Sequence, residues 1–248
     1  MREPLFLSYS FGEAEKEQLA NDGHLLFPQL LTPSTREQLI ASLGQNLEMP
    51  ASEDYLPVRY AAEHDEYLAL VIAHPQMLEL ARAVLGEEIR YDHCVNLSRK
   101  GGNPGEGWHT HPYATEHPEL GFIRIFFYIS GYQKGNGSLK VVPGSHLFSA
   151  NIRFKSDDEL RASWLNGKIH PLTGEPLEIV DLDVPDGSVV VMLTDALHAV
   201  TPRHRQSDTR WTMVTAYRNP GAPSGARWIS PEFENNPPTG AESIISLY

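Results

Sequence analysis

Over the first 90 residues, apolar positions recur mainly at helical spacing. Thr32-Pro33 predicts a helix start, with threonine as N-cap and proline at the first helical position. Leu39, Ile40, Leu43 and Leu47 then fall on one face. A second helix is predicted from Pro75. It buries Met77, Leu78, Ala81, Val84 and Leu85, and it stops at Gly86.

Beyond residue 88 the period shortens to two. Ile89, Tyr91, His93, Val95 and Leu97 alternate with Arg90, Asp92, Cys94, Asn96 and Ser98. Residues 122–129 form an apolar run broken only by Arg124, and residues 139–142 a shorter one. Residues 189–193 are apolar after the turn Pro185-Asp186-Gly187, and residues 211–217 alternate again. Gly101-Gly102-Asn103-Pro104, Gly135-Asn136-Gly137 and Pro143-Gly144 punctuate these runs. Many short strands with such turns predict a sandwich or barrel. The segment 149–176 interrupts the strands and contains a short predicted helix at 157–167. An insertion of this length predicts a lid or substrate loop. The last 30 residues, rich in Pro, Gly and Asn, are expected to wrap the surface without regular structure. With no repeat and no internal boundary, residues 1–248 read as one domain.

Composition narrows the class. The 248 residues are 41% hydrophobic, enough for one sizeable core. A net charge of −12 argues against a surface that tracks nucleic-acid phosphates. Cys94 is the only cysteine, so an intrachain disulfide is excluded. No apolar run at the N-terminus has signal-peptide length, and no later segment is expected to span a bilayer. The expectation is a soluble, cytosolic protein without membrane or nucleic-acid partners.

The candidate chemistry lies in Gly107-Trp108-His109-Thr110-His111-Pro112-Tyr113. In a strand, residues two apart point to one face, so His109 and His111 can aim two imidazoles at one point. A third ligand must come from elsewhere. His198, just after the apolar run 189–193 and 87 residues beyond His111, is the best candidate. His204 is the alternative, but it sits between Arg203 and Arg205 in what reads as an exposed loop.

Several stretches together resemble the phytanoyl-CoA dioxygenase family, a branch of the iron(II)/2-oxoglutarate oxygenases. They are Asn21-Asp22-Gly23-His24-Leu25-Leu26-Phe27-Pro28, Trp108-His109, Leu139-Lys140-Val141-Val142-Pro143-Gly144-Ser145-His146, Asp186-Gly187-Ser188-Val189-Val190-Val191 leading to His198, and Arg210. The similarity runs from about Asp22 to Pro220. It implies a mainly β chain with flanking helices, built as a double-stranded β-helix, a jelly-roll or cupin-like barrel. It implies iron(II), 2-oxoglutarate as cosubstrate, dioxygen and a small-molecule substrate whose C–H bond is oxidised, most simply by hydroxylation. His109, His111 and His198 would form the metal and catalytic set. Arg210 would anchor the cosubstrate's distal carboxylate, with Thr201 and Asn96 as further cosubstrate contacts. Trp108, Tyr113, Arg124 and Arg59 are the candidate substrate contacts, and His146 is expected to order its turn.

One position departs from the family pattern, which is His-x-Asp or His-x-Glu: here the carboxylate position is His111. Three readings stay open. The centre works with three histidines; the substitution leaves a weakened, metal-binding member; or His111 lies off the metal, with water, halide, Glu116 or Asp195 in its place. A dioxygenase that needs no 2-oxoglutarate, a cupin-like binding protein and a peptide hydroxylase are the competing functions.

Overall fold

The computed structural model describes residues 3–111, 121–148, 151–221 and 227–245. Tyr113 and Glu116 therefore lie outside the described residues. Among the described residues, ten strands form two five-stranded sheets. The major sheet runs β1 (His24–Phe27), β8 (Ser188–Leu193), β4 (Phe122–Tyr128), β10 (Thr212–Arg218), β2 (Arg90–Asn96). The minor sheet runs β6 (Arg153–Phe154), β3 (Glu106–His109), β9 (His198–Val200), β5 (Leu139–Val141), β7 (Val180–Asp181). All pairings between these strands are antiparallel. From β2 onward the chain steps repeatedly between the sheets, which is the double-stranded β-helix that the resemblance implies.

Alternation on β4 divides the interior in two. Ile123, Ile125 and Phe127 face a helical layer, where they pack with Leu39, Leu43, Leu68, Val71, Met77 and Leu80. Arg124, Phe126 and Tyr128 face the space between the sheets. The helical layer comprises α1 (Glu13–Asp22), α2 (Pro33–Leu47), α3 (Glu66–Ile72) and α4 (Pro75–Leu85). Helices α2 and α4 start where predicted; Thr32 Oγ1 accepts the Thr35 amide at 3.2 Å, and the ring of His74 accepts the Gln76 amide at 3.3 Å. Helix α1 carries almost no apolar stripe, burying only Leu19, so its periodicity is silent in the sequence.

One segment passes for a membrane span by composition, and three expectations need correction. Residues Glu66–Leu85 are apolar enough, by length and composition, to cross a membrane. Here they are two core helices, broken at Ala73-His74, with Leu68, Val71, Ile72, Met77 and Leu80 fully buried. The insertion is not a free lid among its described residues. Its β6 pairs with β3, and the following helix α5 (Asp157–Ala162) with its adjoining turns packs Leu160, Leu165 and Leu177 against Trp108, Val142, Leu197 and Ala199 on the outer face of the minor sheet. The C-terminal stretch includes α6 (Pro231–Asn235) and α7 (Glu242–Ile245), and Ile244 and Ile245 join the same core as Leu5 and Phe6. Arg203 is buried rather than exposed.

Candidate metal centre and its pocket

The site starts from two crowded glycines. Gly105 holds a positive φ of 79°, and a Cβ there would meet the Val200 carbonyl at 2.2 Å. A Cβ on Gly107 would meet the Phe154 carbonyl at 2.7 Å. Small residues thus let β3 run tightly between β9 and β6. In that ladder His109 stands directly opposite His198. Directly paired residues share a face, and their ring centroids lie 4.3 Å apart.

Backbone carbonyls fix both tautomers. His109 Nδ1 lies 2.8 Å from Gly107 O, and His198 Nδ1 lies 2.9 Å from Ala196 O. A carbonyl oxygen only accepts, so each Nδ1 carries the proton and each Nε2 keeps its lone pair. His111 joins them by another route. The strand ends at His109, and the His111 amide donates to Thr194 O at 3.0 Å. Its ring centroid is 5.0 Å from that of His109 and 5.1 Å from that of His198. One ring nitrogen from each of the three histidines lies within 4.8 Å of the others.

Burial lowers the pKa of all three imidazoles. The His111 ring falls well below its ordinary value through burial and then through Arg124; His198 does so through burial and then through His109. Neutral rings are the ligating form. Arg124, on the inner face of β4, donates from Nη1 to His111 Nε2 at 2.8 Å.

A cavity of about 150 Å³ opens beside this cluster. His109, His198, Arg124, Arg99, Glu106 and Arg210 supply its polar lining, and Leu97, Phe126, Tyr128, Leu139 and Val200 its apolar walls. A larger surface groove, about 680 Å³ along α4, holds no such histidine cluster. Arg210 is held by backbone bonds of 2.9 Å to and from Arg99, just before β10. Its guanidinium lies over the rings of Tyr128 and Tyr132, with centroids 5.7 and 5.6 Å away. Its Nε and Nη1 are buried without a hydrogen-bond partner, as is Thr212 Oγ1 nearby in the lining. Buried guanidinium donors without a partner are what a carboxylate satisfies. Thr212 was not singled out from sequence; its place two residues after Arg210 is the signal that could have found it.

The remaining predicted site residues lie elsewhere. Asn96 donates to Leu43 O at 2.9 Å and Asn46 Oδ1 at 3.1 Å, tying α2 to β2. Thr201 Oγ1 accepts the Ser138 amide at 2.8 Å. Trp108 points away from His109, as adjacent strand residues must; it is buried and donates to Asp157 Oδ1 at 2.9 Å. Arg59 lies 4.9 Å from the Trp228 ring centroid, outside the cavity. His204 is exposed, and Asp195 is not part of the histidine cluster. His146 Nε2 donates to Ala20 O at 3.0 Å, so the turn it belongs to is pinned to the end of α1.

The sequence profile of the phytanoyl-CoA dioxygenase family (PhyH) matches residues 19–212. The chain belongs to this family. No curated protein sequence matches it. Among solved structures, the carbocyclase SnoK from nogalamycin biosynthesis is similar with a TM-score of 0.68 and 17% identity, over 92% of both chains. HygX from Streptomyces hygroscopicus, solved with nickel and 2-oxoglutarate bound, gives 0.63 and 16%, over 87% of this chain and 89% of its own. EvdMO1 gives 0.65 and 21%, over 84% of this chain. The chain spans half the length of EvdMO1, covering 50% of it. These likenesses show the fold of the chain, and the profile match shows its family.

Proposed function

We propose that this PhyH-family chain, as one oxygenase domain over residues 1–248, is an iron(II)/2-oxoglutarate-dependent dioxygenase that hydroxylates a C–H bond of a small molecule. One observation carries the reading. A cross-strand imidazole pair, His109 and His198, opens onto a cavity also lined by a buried arginine whose guanidinium has unmet donors.

The residues fit both groups. His109 and His198 present fixed Nε2 lone pairs to a metal, and His111 is the third candidate ligand. Arg210 suits the cosubstrate's distal carboxylate, because two parallel N–H bonds meet its two oxygens. Thr212 adds a hydroxyl. When bound, iron(II) and 2-oxoglutarate supply dioxygen activation coupled to decarboxylation of the cosubstrate to succinate. The protein's part is positioning and exclusion of water. Leu97, Phe126, Leu139 and Val200 provide the dry wall. Arg124 also lines the cavity, where it can meet an anionic ligand.

A second reading is a weakened, ligand-substituted member. It is favoured by the hydrogen bond that Arg124 makes to His111. Anaerobic titration with iron(II) and then 2-oxoglutarate decides the main reading. A weak visible charge-transfer band should appear only when both are present, and succinate should form on admitting air. Oxygen uptake that ignores 2-oxoglutarate would instead favour a cosubstrate-independent dioxygenase.

A further inference from the structure

We propose that Arg124 withholds His111 from the metal, and that a carboxylate entering the cavity releases it. The inference rests on the metal-centre reading above and concerns how its third ligand is engaged.

The argument is one of lone pairs. A neutral imidazole has a single lone pair, on whichever nitrogen lacks the proton. A guanidinium only donates, so the Arg124 Nη1 to His111 Nε2 contact at 2.8 Å uses that lone pair. The proton is then on Nδ1. Neither ring nitrogen can ligate while this bond persists, whichever one faces the metal. His109 and His198 differ, because their bonds to Gly107 O and Ala196 O use the proton and leave the lone pair open.

A carboxylate at position 111 would meet no such conflict. It has two oxygens and about four acceptor sites, so one oxygen can take Arg124 while the other takes the metal. With histidine there, metal and arginine compete for one acceptor. What separates them must be a better acceptor for Arg124. Charge-assisted N–H···O⁻ bonds to a carboxylate are stronger than a bond to neutral imidazole.

The cavity is suited to that anion. It is lined by Arg99, Arg124 and Arg210, against Glu106 as the acidic lining residue. Arg124 and Tyr128, over which Arg210 lies, are four residues apart on one face of β4. At roughly 3.3 Å per residue their Cα atoms are about 13 Å apart. A short dicarboxylate can therefore address both arginines from opposite ends. Arg124 is a positioning residue in this scheme, and the ligand set is completed by the anion that will be used there.

Cobalt(II) binding tests this without turnover. In the wild type, His111→Ala should leave cobalt affinity nearly unchanged. Arg124→Met should tighten it by about tenfold, the usual scale on which partners of a ligating histidine act. That gain should vanish in the His111→Ala background, which separates a released ligand from simple removal of positive charge. Glutarate has no 2-oxo group with which to chelate. It should tighten cobalt binding to the wild type and shift its d–d spectrum, with no spectral shift in His111→Ala. This arm does not depend on the folding of the Arg124 variant. The proposal is overturned if His111→Ala alone costs as much affinity as His198→Ala, or if the Arg124→Met gain survives undiminished without His111. Absence of cobalt binding in the wild type and in Arg124→Met alike would overturn the metal centre itself.

Discussion

His109 and His111 are two residues apart, yet the molecule holds them in different ways. His109 sits inside the β3–β9 ladder, opposite His198, with its proton pinned to Gly107 O. His111 sits beyond the strand end, and its ring is held by a side chain, Arg124. The ladder fixes orientation and tautomer together, because the backbone pairs in only one register there. Past the strand end the His111 amide is anchored to Thr194 O, and its ring meets the Arg124 side chain. A ligand position outside the ladder therefore depends on its partners, which is where a carboxylate and an imidazole stop being interchangeable.

The largest expected effect is His198→Ala, which should abolish iron binding as followed by anaerobic titration. Full affinity in that variant would remove the ladder from the site. Arg210→Ala comes next. It should weaken 2-oxoglutarate by about thirty- to a hundredfold, equivalent to roughly 2–3 kcal/mol for hydrogen bonds to a charged group. Iron affinity measured without cosubstrate should not change. Gly105→Ala tests the ladder itself. Its positive φ and the close Val200 carbonyl predict a loss of about 1–3 kcal/mol in denaturant unfolding. Iron affinity should fall with it as β3 shifts from β9. His111→Ala should change iron affinity by less than about tenfold, whereas His111→Asp should raise both affinity and succinate formation. If alanine at 111 behaves like alanine at 198, the contrast between the two histidines fails. Thr201→Val should have the smallest effect. It removes hydroxyl contacts to Ser138 at a cost of about 1 kcal/mol and should leave 2-oxoglutarate binding unaltered.

Much of the fold is readable from local chemistry. The N-cap of α2, the Pro75 start of α4, the alternation in β2 and β10 and the apolar runs of β4 and β8 each rest on a few neighbouring residues. Helix α1 is not readable, because its burial is confined to Leu19. Helix α3 is a short, nearly continuous apolar run whose period cannot be told from a strand's. The tail looks like loop by composition, but Ala241, Ile244 and Ile245 reach the core. In the site, residue type and order point to His109, His198 and Arg210. They mislead at Asn96 and Thr201, whose side chains are already engaged by Asn46, Leu43 and Ser138.

By itself the sequence determined which side chains could carry the chemistry, since lone pairs, charge and strand parity belong to residues and their near neighbours. Tertiary structure decided which of them meet. It set His198 across from His109 over a separation of 89 positions, left Arg210 with unmet donors, and brought Arg124 to the lone pair of His111. The physical reason is range. Periodicity and capping act over a few residues, whereas sheet register and the crossing of strands between two sheets join distant segments. A side chain's remaining hydrogen-bonding capacity is defined only after those contacts have formed.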